Sequence, residues 1–172
     1  MPKIAAAALA LMCLLLFALP LSAQFIPRGN VYVGGSLDRS EIIIPTNKYH
    51  LRGWNASVEA LPFARFPHIG VVLDASGFYR PGITQYNALL GPRFSASFGK
   101  WRPFVQAMAG AQRLVSSGTA YDHLAVDVGA GVDYKLFFKN FSWRLQGDYL
   151  RTHYLSDNQT DLRGSTGIVW RF

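Results

Sequence analysis

The sequence reads as all-β: an eight-stranded antiparallel up-and-down transmembrane β-barrel. Three observations lead there. Beyond residue 24, apolar and polar residues alternate with a period of two along most of the chain, with Gly, Pro and Asn clusters as punctuation. The lysines beyond that point, Lys48, Lys100, Lys135 and Lys139, all fall in expected turns or loops and none on a strand face. The aromatic residues gather at the two ends of the expected strands.

The first element is not part of the barrel. Residues 1–23 pair one lysine, Lys3, with an uninterrupted apolar run from Ile4 to Leu19, then Pro20 and small residues. This is the pattern of a cleaved signal peptide, with the cut expected after Ala23. The run falls short of the roughly 18 to 20 residues that a spanning helix needs. The barrel domain then occupies residues 24–172. The one cysteine, Cys13, lies in the leader, so no disulfide is expected to hold the mature domain. Loss of Lys3 lowers the net charge of +7 to +6. A basic exported chain suggests an anionic surface as neighbour. Nucleic acid is not expected, because there is no Lys/Arg run or aromatic-basic module.

Strands are expected at Asn30 to Arg39, Gly53 to Leu61, Ile69 to Phe78, Tyr86 to Phe98, Val105 to Arg113, Leu124 to Tyr134, Phe141 to Tyr149 and Leu162 to Phe172. The second is the clearest: Trp54, Ala56, Val58 and Ala60 share one face, Asn55, Ser57 and Glu59 the other. In the seventh, Phe141, Trp143, Leu145 and Tyr149 oppose Ser142, Arg144, Gln146 and Asp148. The last places Leu162, Ile168, Trp170 and Phe172 against Arg163, Ser165, Gly167 and Arg171. Tight turns are expected around PFARFPH, GKWRP and LFFKN. Longer polar loops are expected at Ser40 to His50, Tyr79 to Gln85, Leu114 to Asp122 and Tyr154 to Asp161. Short turns at one end and longer loops at the other suit a membrane barrel.

Alternation alone leaves open whether the apolar face looks inward, as in a soluble barrel, or outward into lipid. A hydrated polar face is typically rich in Lys and Glu. The polar faces here instead carry small residues and a mixed set of charges: Glu59, Asp74, Arg93, Asp127, Asp133, Arg144, Asp148, Arg163 and Arg171. These are expected to form a lumen charge network, since an eight-stranded barrel has room inside for side chains but not for an open channel. The aromatics sort in the same sense. Phe66, Phe94, Phe98, Trp101, Phe137, Phe138, Phe141, Trp143, Trp170 and Phe172 are expected at the short-turn end, with Phe63, and Tyr49, Tyr79, Tyr86, Tyr121, Tyr149 and Tyr154 at the loop end. Such sorting makes two interfacial girdles.

With these residues in hand, the chain resembles the small outer-membrane β-barrels of the OmpA and OmpX transmembrane-domain type, from about Pro27 to Phe172. The most specific piece is the terminal LRGSTGIVWRF, which looks like the C-terminal assembly signal of such proteins, carried by Ile168, Trp170 and Phe172. The glycine-rich NVYVGGSLD of the first strand is also similar. The resemblance implies a Gram-negative-type outer membrane, lipopolysaccharide as surrounding lipid, and the barrel-assembly machinery as a transient partner. No peptidoglycan-binding domain is expected after the barrel, so cell-wall anchoring is not implied.

Chemistry was sought in THYLSDN, Thr152 to Asn158, because some barrels of this size acylate or deacylate lipid A and the deacylases use His and Ser on a late strand. His153 and Ser156 are three apart, which puts them on opposite faces of a straight strand, and Asp161 is expected in a loop. His50, His68, His123 and His153 have no ligand spacing, so no metal or cofactor is expected. Six basic residues, Arg39, Lys48, Arg52, Arg80, Arg113 and Arg151, are expected near the loop end, where guanidinium forks suit lipopolysaccharide phosphates. The expectation is therefore a non-enzymatic, monomeric outer-membrane barrel with a structural or surface-interaction role. The alternatives are a narrow porin-like channel and, further off, a lipid A-modifying enzyme.

Overall fold

The computed structural model describes residues 28–40, 49–62, 65–81, 83–116, 119–153 and 158–172. Eight strands follow one another: β1 (Gly29–Ser40), β2 (Tyr49–Ala60), β3 (Ile69–Arg80), β4 (Ile83–Ser95), β5 (Trp101–Ser116), β6 (Thr119–Lys135), β7 (Phe141–His153) and β8 (Asn158–Arg171). Each pairs antiparallel with its sequence neighbours, and β1 pairs with β8 to close the barrel. Closure satisfies both sides of every strand, so no edge is left to template aggregation. The seam runs from Asn30 opposite Arg171 to Ser40 opposite Asp161, and the backbone of Phe172 exchanges hydrogen bonds with Gly29 at 3.2 and 3.3 Å.

Every strand expected from the alternation is present and several are longer, but β4 ends at Ser95, short of the expected Phe98, which instead bridges to Trp101 in the turn. The segments Tyr79 to Gln85 and Leu114 to Asp122, expected as loops, are mostly strand: β3 runs to Arg80 and β4 starts at Ile83, while β5 runs to Ser116 and β6 starts at Thr119. The physical reason is that ladder hydrogen bonds do not require apolar alternation. Polar hairpin tips beyond an apolar band keep pairing although their composition reads as loop. Likewise β8 begins at Asn158, which makes Asp161 a strand residue and corrects its placement in a loop. Lys135 is the last residue of β6 and not a turn residue. At the opposite end the connections are 61–68, 96–100 and 136–140, each longer than the tips 81–82 and 117–118, so the expected contrast of short turns and longer loops does not hold at these hairpins. Gly99, between β4 and β5, has φ of +61°, a conformation glycine adopts without steric cost.

The alternation is inverted relative to a water-soluble barrel. Trp54, Val128 and Leu145 lie on the outer wall, 41, 57 and 50% exposed, whereas Asp127 and Arg144 are wholly buried in the lumen. Fully burying a Val, Leu or Phe side chain is worth roughly 1.5–3 kcal/mol, so an outer wall of this composition is costly in water. Leu, Val, Ile and aromatic side chains cover the exterior of all eight strands. The lumen is not purely polar. Val72, Leu89, Met108, Ala125 and Leu150 form an apolar cluster on the wall made by β3 to β7. It sits at mid-height, where Leu89 is the register partner of Asp74 and Met108 that of Asp127.

Candidate functional site

The lumen network is built by parity. Inward positions on each strand carry the polar residues, and pairing brings them to common heights. Near the turn end, the Asn30 amide donates to Glu59 Oε2 at 2.6 Å and Arg93 Nη1 donates to the same oxygen at 3.1 Å. Arg93 also donates through Nε and Nη2 to Gln106 Oε1, at 2.9 and 2.5 Å. The Gln106 amide in turn donates to Asp148 Oδ1 at 3.0 Å, which carries the network upward. Arg163 then gathers three carboxylates: Asp148 at 2.9 Å, Asp74 at 3.0 Å and Asp127 at 3.8 Å. The Asn55 amide donates to both Asp74 oxygens, at 3.0 and 2.9 Å.

A second group lies beside the first. Arg144 donates from Nε and Nη2 to the two oxygens of Asp133, at 2.7 and 3.0 Å, and Arg171 Nη2 reaches the same carboxylate at 2.7 Å. The buried ring of Phe104 is flanked by two guanidinium groups, with Arg93 Cζ 4.3 Å and Arg144 Cζ 4.7 Å from its centroid. Arg144 also lies 5.0 Å from the ring centre of Tyr32. Each of the two guanidinium groups is thus attracted to the same ring. Glu59, Asp74, Arg93, Asp127, Asp133, Arg144, Asp148, Arg163 and Arg171 all belong to these two groups. The alternation put Gln106 and Gln146 on the polar faces, but sequence reasoning missed Asn30, Tyr32 and Phe104 as members. Phe104 was legible in principle, because extending the alternation back through WRPFVQ places it between Arg102 and Gln106 on the inward face.

At the loop end, Arg39, Arg52, Arg113 and Arg151 are exposed on the outer wall, whereas Arg80 is half-buried at an inward position of β3, in parity with Asp74, Ser76 and Phe78. They are strand residues. Lys48, Phe63, Tyr154 and the leader lie outside the described residues. Tyrosines alternate with these arginines: Arg52 is the register partner of Tyr79, and Arg113 that of Tyr86. Tyr79 and Tyr86 meet edge to face with centroids 6.0 Å apart, and Trp54 Nε1 donates to the Tyr79 hydroxyl at 3.2 Å. Arg113 faces Asp122 at 3.7 Å, with both side chains well exposed, an ion pair worth at most about 1 kcal/mol. Its guanidinium therefore remains available to another anion. Beside Arg52 runs an outer-wall groove of about 550 Å³, lined by Gly35, Leu37, Leu145, Gly164 and Thr166.

Elsewhere the chemistry is sparse. Asp161 is buried in the lumen, while Ser156 lies outside the described residues. Among the described residues no group of three His, Cys, Asp or Glu is arranged to hold a metal ion. Asn55, which begins an Asn-Ala-Ser triplet, is turned inward and bonded to Asp74.

No family model matches the sequence, and no curated protein does. Solved structures do. Neisserial surface protein A aligns with a TM-score of 0.68 at 12% identity, over 84% of this chain and 97% of that one. The fold is that of the small eight-stranded outer-membrane barrels. Ail, the attachment invasion locus protein of Yersinia pestis, aligns at 0.55 with 17% identity, over 86% of this chain and 100% of its own. The N-terminal β-barrel domain of Pseudomonas aeruginosa OprF also aligns at 0.55, with 16% identity over 84% and 99% of the two chains. A structure of Ail in complex with the heparin analogue sucrose octasulfate aligns at 0.51, with 15% identity over 86% of this chain and 100% of that one.

Proposed function

We propose that this chain is a non-enzymatic barrel of a Gram-negative-type outer membrane whose arginine-tyrosine belt holds the phosphates of lipopolysaccharide. The observation that carries the membrane reading is the inverted wall, apolar outside and ionic inside. In lipid the outer side chains need no water, and closure leaves no backbone group unpaired. The belt then falls where headgroups would lie. Arg39, Arg52, Arg113 and Arg151 supply planar, permanently charged forks suited to phosphate, and Tyr79 and Tyr86 supply rings with polar tips. The groove beside Arg52 offers apolar walls for an acyl chain of the lipid whose phosphate that arginine binds. Ail, a structural neighbour, has been solved with a sulfated polyanion, which fits the same kind of chemistry.

The lumen supports a silent barrel over a channel. The apolar cluster of Val72, Leu89, Met108, Ala125 and Leu150 fills the mid-height beside Arg163 and its carboxylates. Folding is read from the different gel migration of boiled and unboiled membrane fractions. Function is tested by binding of intact and dephosphorylated lipopolysaccharide to wild type and to R39Q/R52Q/R113Q/R151Q. The reading expects a preference for the phosphorylated form that the variant loses. Equal binding of both forms by wild type contradicts it.

A further inference from the structure

The described lysines lie at the opposite rim from the arginine belt. Lys100 sits in the β4–β5 turn, Lys135 ends β6 and Lys139 lies in the β6–β7 turn. The two turns are side by side, since the Lys135 backbone amide donates to the Lys100 carbonyl at 2.8 Å. Between them, on the outer wall, Trp101 and Tyr134 are register partners with ring centroids 4.6 Å apart. Phe137 and Phe138 project beyond the strand ends, fully exposed and 72% exposed respectively. Just below the ring pair the outer wall continues with the exposed Pro103 and Val105. The carboxylates at this height, Glu59 and Asp133, are both buried in the lumen and paired with arginines. Among the described residues this rim therefore presents positive charge and aromatic surface with no exposed acidic side chain.

We infer that the paired β4–β5 and β6–β7 turns form a binding site for an anionic phospholipid. Its phosphate would sit among Lys100, Lys135 and Lys139, with its acyl chains along Trp101, Tyr134, Pro103 and Val105. The inference rests on the membrane reading above but concerns the other rim and a different lipid. The charge pattern argues for it: ammonium groups are mobile point charges that collect a headgroup without the fixed geometry of an arginine fork. The two phenylalanines, flanked by Lys135 and Lys139, give the turn an amphipathic edge suited to the headgroup boundary. A basic protein-binding face would be expected to carry acidic groups among its basic ones, and the described side chains of this rim include no exposed acid.

The experiment is tryptophan quenching in bilayers of phosphatidylcholine and phosphatidylglycerol, with bromine placed on the chains of one lipid at a time. With Trp54, which lies by the arginine belt, replaced (W54F) in every protein compared, Trp101, Trp143 and Trp170 all lie toward this rim, so fluorescence reports the lipid beside it. At low salt, phosphatidylglycerol should be enriched over phosphatidylcholine by up to about fivefold, the scale of one basic residue near an anionic surface. K100Q/K135Q/K139Q and high salt should both abolish the enrichment. R39Q/R52Q/R113Q/R151Q should leave it unchanged. Equal quenching by the two lipids in wild type, or an enrichment that survives in the lysine variant, overturns the site alone. Quenching by neither lipid overturns both the site and the membrane reading beneath it.

Discussion

The two halves of the lumen are charged in opposite senses. Among the described residues, Arg93, Arg102, Arg144 and Arg171 toward the turns share the lumen with Glu59 and Asp133; toward the loops, Asp74, Asp127 and Asp148 surround Arg163, and Asp38 and Asp161 are buried nearby. Each half solves its excess differently. The turn-end half holds its cations with aromatic rings and neutral amides: Arg93 and Arg144 both lie over Phe104, and Gln106 accepts two hydrogen bonds from Arg93. The loop-end half gathers carboxylates around one guanidinium and adds amide donors from Asn55 and Gln146. Gln106 links the two by donating to Asp148. The difference shows that charge balance here belongs to the whole lumen and that redundancy does not. One half has several cations over an aromatic ring, whereas in the other Asp74, Asp127 and Asp148 share Arg163.

That asymmetry is broken most severely at Arg163. R163Q leaves Asp74, Asp127 and Asp148 without their shared cation, and removing one partner of a buried pair costs about 3–5 kcal/mol. Urea unfolding in detergent, followed on gels that separate folded from boiled protein, should show that loss or an absence of folded barrel. R93Q should cost less, about 1–3 kcal/mol, because Glu59 keeps the Asn30 amide and the repulsion between Arg93 and Arg144 is relieved. If the two variants were equally destabilised, the contrast between the halves would be wrong. F104L sharpens it further: losing the π face should cost about 0.5–2 kcal/mol beyond its packing change, and R93Q should couple to it in a double-mutant cycle. The outer belt marks the bottom of the scale. R39Q/R52Q/R113Q/R151Q should shift stability by no more than about 0.5 kcal/mol per site while removing phosphate-dependent lipopolysaccharide binding.

Much of this was legible because a strand has period two and closure assigns one parity to each side. Asn55, Ser57 and Glu59 on β2 and Ser142, Arg144, Gln146 and Asp148 on β7 are all inward, as their alternation implied. Parity does not say which inward residues will be apolar. Tyr32 and Phe78 are buried in the lumen, and the cluster around Val72 and Leu89 had no signal beyond position on a strand. Phe104 was hidden by starting the fifth strand at Val105, four residues after its actual start at Trp101. The hairpin tips were read as loops because their composition is polar, while pairing depends on the backbone. Pairing across distant strands, such as Arg163 with Asp74, follows from barrel closure in three dimensions and has no local mark in sequence.

The central claim is that the outer wall faces lipid while the charges are sealed inside. Cys13 lies in the predicted leader, so a mature chain can carry single nitroxide labels at Val128→Cys and Leu145→Cys. In reconstituted bilayers, electron paramagnetic resonance should find both labels mobile, readily relaxed by oxygen and shielded from a water-soluble nickel complex. Labels relaxed mainly by the nickel complex, or immobilised in a dry protein centre, would contradict the inverted wall.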